Sequence, residues 1–164
     1  MQASVREATV SDIPSLARHR PAMFRDMGKL APHHERPLAD ATAVWLRRAM
    51  PRGDYLAWVA EDDGRTIVGG AGVYLRAILP RADEPDTLEF GPEALIVNVY
   101  VEREWRRRGL ARALMIAMLD ALEARGIRRV LLHASVEGRR LYESLGFTAT
   151  NEMRLTSSRK PPAQ

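Results

Sequence analysis

The stretch ALIVNVYVEREWRRRGLAR, residues 94–112, decides how the rest of the chain is read. Its first part, Ala94 to Val101, is an almost unbroken apolar run, and such strands are usually buried on both faces of a sheet. Its second part crowds Arg103, Arg106, Arg107, Arg108 and Arg112 around Gly109. From about Gly109 to Arg125, Leu110, Leu114, Met118 and Leu122 recur every four positions, the spacing of a helix with one face on a sheet. A buried strand therefore runs through a turn into a helix. The first N–H groups of that helix have no partners within it, and they sit at the positive end of its dipole. Such a turn can accept the oxygens of a pyrophosphate. Gly109 and Ala111 keep side chains out of the anion's way, and the arginines add charge in a planar fork that suits phosphate.

Downstream, Gly126 ends the helix and Arg128 to Ser135 reads as a second buried strand. A strand, a helix and a strand in this order predict a right-handed crossover with parallel strands. Glu137 to Leu145 reads as a short helix stopped by Gly146, Phe147 to Leu155 as a last strand, and 156–164 as a disordered tail. Upstream, Val5 to Thr9 is a first strand. Ser11 or Asp12 caps a helix that carries Pro14 in its first turn and ends at Gly28. Residues 29–38 form a loop, and Ala39 to Met50 a second helix stopped by Pro51 and Gly53. Tyr55 to Ala60 and Ile67 to Ile78 form a hairpin around Gly64. Leu79 to Glu93, with three prolines and five acids, reads as an exposed loop. The predicted order is β-α-α-β-β-β-α-β-α-β. The expected class is mixed α/β: a mostly antiparallel central sheet with a splayed parallel strand pair, flanked by helices.

The 164 residues suit one domain, expected over 1–155. Hydrophobic residues make up 46% and charged residues 28%, a globular balance, and no run of eighteen apolar residues predicts a membrane span. The opening MQASVREATVSD lacks a basic patch followed by an apolar stretch, so no secretory signal is expected. Zero cysteines exclude disulfides, thiolate metal sites and a cysteine nucleophile, and fit a cytoplasmic location. Net charge is +4, and Lys29 and Lys160 are the only lysines among 25 basic residues. The arginines cluster at one turn with few aromatics among them, which suits a local anion site better than a nucleic-acid face. There is no GxGxxG after an early strand and no GxxxxGK[ST], which argues against nicotinamide and P-loop enzymes. His33 and His34 have no third ligand at metal-binding spacing, so no metal site is expected. Trp45 and Trp105 are read as packing residues.

Read in full, Arg106-x-x-Gly109-x-Ala111 resembles the [Arg/Gln]-x-x-Gly-x-[Gly/Ala] signature of the GNAT N-acetyltransferase superfamily. Leu141-Tyr142-Glu143-Ser144-Leu145-Gly146-Phe147 is similar to that family's LYxxxGF segment. The order of elements agrees over roughly residues 4–155. The resemblance implies acetyl-CoA as cosubstrate and a primary amine as acceptor, on a small molecule or a protein, by direct attack in a ternary complex. It also makes a homodimer one of the expected assemblies. It places the pyrophosphate on Arg106, Arg107, Arg108, Gly109, Leu110, Ala111 and Arg112. It lays the pantetheine arm along the main chain of Val99, Tyr100 and Val101, with Ser135 near cofactor or substrate.

The resemblance also implies that a backbone N–H near Val99 polarises the thioester carbonyl and that Tyr142 protonates the departing sulfur. Tyrosine holds its proton at neutral pH and can donate it. Some relatives carry a glutamate ten residues before the motif arginine; that position here is Ile96. Other carboxylates upstream are Glu89 and Glu93. His133 shares a strand face with Leu131 and Ser135, and histidine is a residue type suited to proton transfer near neutral pH, so it is a candidate proton acceptor or a core histidine. Asn98 shares a face with Tyr100 and is a candidate for orienting water or substrate. A non-catalytic acyl-CoA sensor on the same fold is the alternative function.

Overall fold

The apolar run at 94–101 becomes the spine of a sheet. In the computed structural model, which describes residues 2–153, the first strands and helices are β1 (Ala3–Glu7), α1 (Ile13–Asp26), α2 (Glu35–Ala49), β2 (Tyr55–Asp62) and β3 (Ile67–Ala77). There follow β4 (Arg81–Glu84), β5 (Thr87–Glu89), β6 (Pro92–Val101), α3 (Leu110–Ala124), β7 (Val130–Leu132) and α4 (Arg139–Glu143). Five strands pair in the order β1-β2-β3-β6-β7, and β4 and β5 form a separate small ribbon. All pairs are antiparallel except β6 with β7. The chain divides into two compact units, the first ending at His133 and the second opening at Ala134.

Within the first unit, helices cover both faces of the sheet. The pleat assigns alternate residues to alternate faces. A side chain at Gly69 would meet Leu114 of α3, whereas one at Gly70 would meet Leu16 and His19 of α1. Leu114, Met115, Met118 and Leu122 of α3 are fully buried, which bears out the four-residue apolar spacing. On the other face Ile13, Leu16, Leu46 and Ala49 pack with Tyr55, Ala57 and Val59. Tyr55 lies across β3, and a Cβ at Gly72 would overlap its hydroxyl; glycine is needed there for close approach.

Local chemistry sets the element ends. The Thr9 N–H donates to the Asp12 carboxylate at 2.7 Å, and Arg6 grips both oxygens of Asp12 at 2.8 and 2.9 Å. This ties the end of β1 to the start of α1 and holds Asp12 well below the ordinary carboxylate range, the Arg6 hydrogen bond being the largest cause.

Four expectations differ from the structure. α2 starts at Glu35 rather than Ala39, because Pro32 opens a 3-10 turn that leads into it. The acidic 79–93 segment folds as the β4–β5 ribbon, and β6 begins at Pro92. The strand read at 128–135 shortens to β7, whose residues are half-buried. No strand forms over 147–153: the Phe147 ring stands against Tyr142, and Thr148 to Met153 are exposed with no apolar alternation. Residues 154 and 155 of that expected strand, and the tail 156–164, lie outside the described residues.

Candidate active site

Beyond Val101 the chain makes a 3-10 turn, Arg103–Trp105, that buries Trp105. Arg106 then turns back. Its Nε donates to the Val101 carbonyl at 2.9 Å, its Nη2 meets Asp26 of α1, and its guanidinium lies 5.5 Å from the centre of the Tyr100 ring. Asp26 raises the Arg106 pKa further. Arg106 therefore braces the loop, and its charge is already matched by a carboxylate. The Arg108 guanidinium rests over the Trp105 ring at 5.1 Å. Arg107 at φ 62° and Gly109 at φ 80° both adopt the left-handed conformation, and Gly109 caps α3 without a side-chain bond. Left-handed residues alternating with others turn successive N–H groups into one concavity, a shape that holds anions. Arg107, Arg108 and Gly109 are exposed around it. The N–H groups of Leu110, Ala111 and Arg112, at the first turn of α3, point along the helix dipole into the same loop.

The strand feeding this loop is open along one edge. β7 pairs with β6 only at Ala94, Leu95 and Ile96. From Val97 to Val101 that edge has no strand partner among the described residues, which is the splayed pair expected from sequence. On the other edge Gly72 pairs with Val97 and Gly70 with Tyr100, so Asn98 and Val99 together face Ala71. This is a β-bulge, a device that re-aims a strand and is common beside active sites. Asn98 takes φ 58°, a left-handed conformation that asparagine tolerates better than most residues.

The bulge aims Asn98 at α1 and β2. Its Oδ1 accepts from Arg20 Nη1, and its Nδ2 donates to the Tyr55 hydroxyl at 3.3 Å. Tyr55 is 2% exposed, and burial pushes its pKa up to about 12. Trp45 stands edge-on to Tyr55 at 5.4 Å and near Tyr74 at 5.9 Å. It packs on these two rings, in line with the packing role expected, and leaves 45% of its surface exposed. Tyr100 also faces α1, with its ring 5.1 Å from that of His19, so Asn98 and Tyr100 do look toward the same helix.

Sequence reasoning missed His19. It is 1% exposed, and neither ring nitrogen has a hydrogen-bond partner among the described residues. Nε2 lies 3.4 Å from Glu102, which is bonded to Arg18. Burial, with Arg18 adding to it, lowers the His19 pKa to about 4. The residue sits in the apolar spacing of α1 beside Leu16 and Ala22, a signal that was available in the sequence. Glu93 is 3% exposed and held by Arg76 and Arg129 together. The two arginines keep it below the ordinary carboxylate range despite its burial, so it is an ionised structural anchor. His133 lies just past β7 and is exposed, which removes the core reading.

The second unit holds the other two sequence candidates. The Gly138 N–H donates to Ser135 Oγ at 3.1 Å, so the Ser135 hydroxyl caps the approach to α4. Tyr142 follows on α4, and a side chain at Gly138 would come within 2.8 Å of its ring. Phe147 N–H donates back to the Tyr142 carbonyl at 3.1 Å, and the two rings meet edge-on at 6.2 Å. Burial raises the Tyr142 pKa, which keeps the hydroxyl protonated. Among the described residues there is no group of three or more metal-binding side chains, and no helix is long and apolar enough to cross a membrane.

Comparison with known proteins agrees with this geometry. The family model described as the acetyltransferase (GNAT) family matches residues 19–147. A mycothiol acetyltransferase of Thermobispora bispora is 38% identical over 101 residues, 60% of this chain and 30% of that protein. A ribosomal protein bS18-alanine N-acetyltransferase of Salmonella typhimurium is 37% identical over 75 residues, 44% of this chain and 49% of that protein. The chain thus spans less than half the length of these curated relatives. The crystal structure of a GCN5-related N-acetyltransferase from Ralstonia eutropha superposes with a TM-score of 0.82 at 29% identity, covering 96% of this chain and 99% of that one.

Proposed function

The chain belongs to the GNAT acetyltransferase family, and we propose on that premise that it transfers an acetyl group from acetyl-CoA to a primary amine. The observation that carries the reading is one continuous feature. A bulged strand, unpaired along one edge after Ile96 among the described residues, runs directly into a concave loop and a start of α3 that has no side-chain cap. A linear ligand with a diphosphate at one end fits such a feature. The N–H groups of Leu110, Ala111 and Arg112 would hold the diphosphate. The main chain of Val99 and Val101 would take the arm as an added strand, with Tyr100 between them.

Acetyl-CoA supplies an acetyl group activated as a thioester; the rest of the work falls to this chain. The Val99 N–H is assigned to the carbonyl oxygen, where a fixed donor stabilises the charge that builds as the amine attacks. The amine attacks in its neutral form. The new C–N bond forms as the C–S bond breaks, and Tyr142 gives its proton to the sulfur. The proton shed by the amine nitrogen passes to solvent, from which Tyr142 is reprotonated. Glu93 is not assigned as the base, because its two arginines hold it ionised and occupied. Asn98 positions the bulge through Arg20 and Tyr55. The curated relatives' names both describe acetyl transfer, one of them to a protein alanine, and this supports an amine acceptor.

Purified protein mixed with acetyl-CoA and a broad amine panel should release free thiol in step with amine acetylation. Acetyl-CoA binding with no thiol release from any amine would overturn the catalytic reading and favour the sensor.

A further inference from the structure

An acceptor that reaches the bulge of β6 meets Asn98 and its neighbours, so the charge there decides what the acceptor can carry. Arg20 donates to Asn98 and lies 5.1 Å from the centre of the Phe24 ring. Both partners are neutral. Several other arginines of the first unit meet carboxylates: Arg6 meets Asp12 and Glu61, Arg76 and Arg129 share Glu93, and Arg106 meets Asp26. Arg20 has no such counter-ion among the described residues. It is half-buried, and its remaining donors are not sealed away from solvent. A guanidinium in that state presents a free planar edge to an oxyanion. It donates to Asn98, one residue from Val99, and Asn98 in turn donates to the Tyr55 hydroxyl, whose ring contacts the part-exposed Trp45.

We propose that Arg20 sets acceptor specificity and that the acceptor is a small amine bearing an oxyanion, carboxylate or phosphate, a few bonds from its nitrogen. This rests on the acetyltransferase reading and narrows it: the amine attacks near Val99 while its oxyanion pairs with Arg20. A peptide N-terminus whose first residue is not acidic carries no oxyanion at that distance, so the proposal sets this acceptor apart from the protein alanine named for one relative.

Matched pairs test it: L-phenylalanine against phenethylamine, and O-phosphoethanolamine against ethanolamine, each by thiol release. The expected result is a preference of at least about tenfold in kcat/KM for the oxyanion member of one pair, as for a charge-assisted hydrogen bond. The pair that shows it identifies the oxyanion. Arg20→Gln should bring that ratio near unity through KM, and Arg20→Lys should restore part of it. Equal use of both members, preference for a peptide N-terminus, or an Arg20→Gln loss equal for both members would overturn the proposal; the last result would make Arg20 only a brace for Asn98. Turnover of neutral amines alone sinks this proposal and leaves the acetyltransferase reading standing. Absence of turnover with every amine sinks both.

Discussion

At the scale of single residues, burial sets the protonation of two side chains, His19 and Tyr142. His19 has its pKa lowered to about 4 by burial, helped by Arg18 and opposed by Glu102. The unfolded chain therefore binds more protons than the folded one between pH 6.5 and 4, so stability falls as pH falls through that window. The loss should reach about 3 kcal/mol and then level off, because below pH 4 the ring is charged in both states. Thermal unfolding across this range checks it: His19→Gln should flatten the slope, and an unchanged slope would discharge His19 from the role. Tyr142 is kept protonated by burial, so Tyr142→Phe should lower kcat roughly 100-fold while leaving acetyl-CoA affinity nearly intact. Unchanged kcat would remove Tyr142 as the acid. Residues of this kind were unevenly legible in the sequence. Arg106, Gly109 and Tyr142 stand in motifs. His19 and Arg20 stand in none; the apolar spacing of α1 marks His19 as facing inward, but what the two side chains meet, Tyr100 and Asn98, is set by the packing of α1 on β6.

At the scale of elements, the decisive one is β6 with the loop that follows it. Apolar continuity marked the strand, and four-residue spacing marked α3, because both signals come from burial and burial is what those elements do. The bulge was not legible: nothing in VNV distinguishes a regular strand from one in which Asn98 adopts φ 58°. The β4–β5 ribbon was missed for a related reason, since strands of four and three residues are too short to display a period. The loop's stiffness rests on Arg106, which ties Val101, Asp26 and Tyr100 together. Arg106→Ala should therefore weaken CoA binding about tenfold or more by releasing the loop. Arg108→Ala, which frees only the Trp105 face, should cost less. Calorimetric titration with CoA compares them, and equal small effects would mean that the loop is held by other contacts.

At the scale of the whole molecule, family, fold and loop chemistry agree. The mostly antiparallel sheet and, among the described residues, its one parallel pair follow the sequence expectation, whereas the order of elements gains the β4–β5 ribbon and lacks the last expected strand over residues 147–153. The central claim is that acetyl-CoA lies along the open edge of β6 with its diphosphate on the start of α3. Amide hydrogen exchange read by NMR, with and without CoA, tests this most directly. Exchange should slow at Val99, Val101, Leu110 and Ala111 on saturation, because those N–H groups gain partners. Saturable binding that leaves all of these amides exchanging as before, or no binding by the folded protein, would contradict the account.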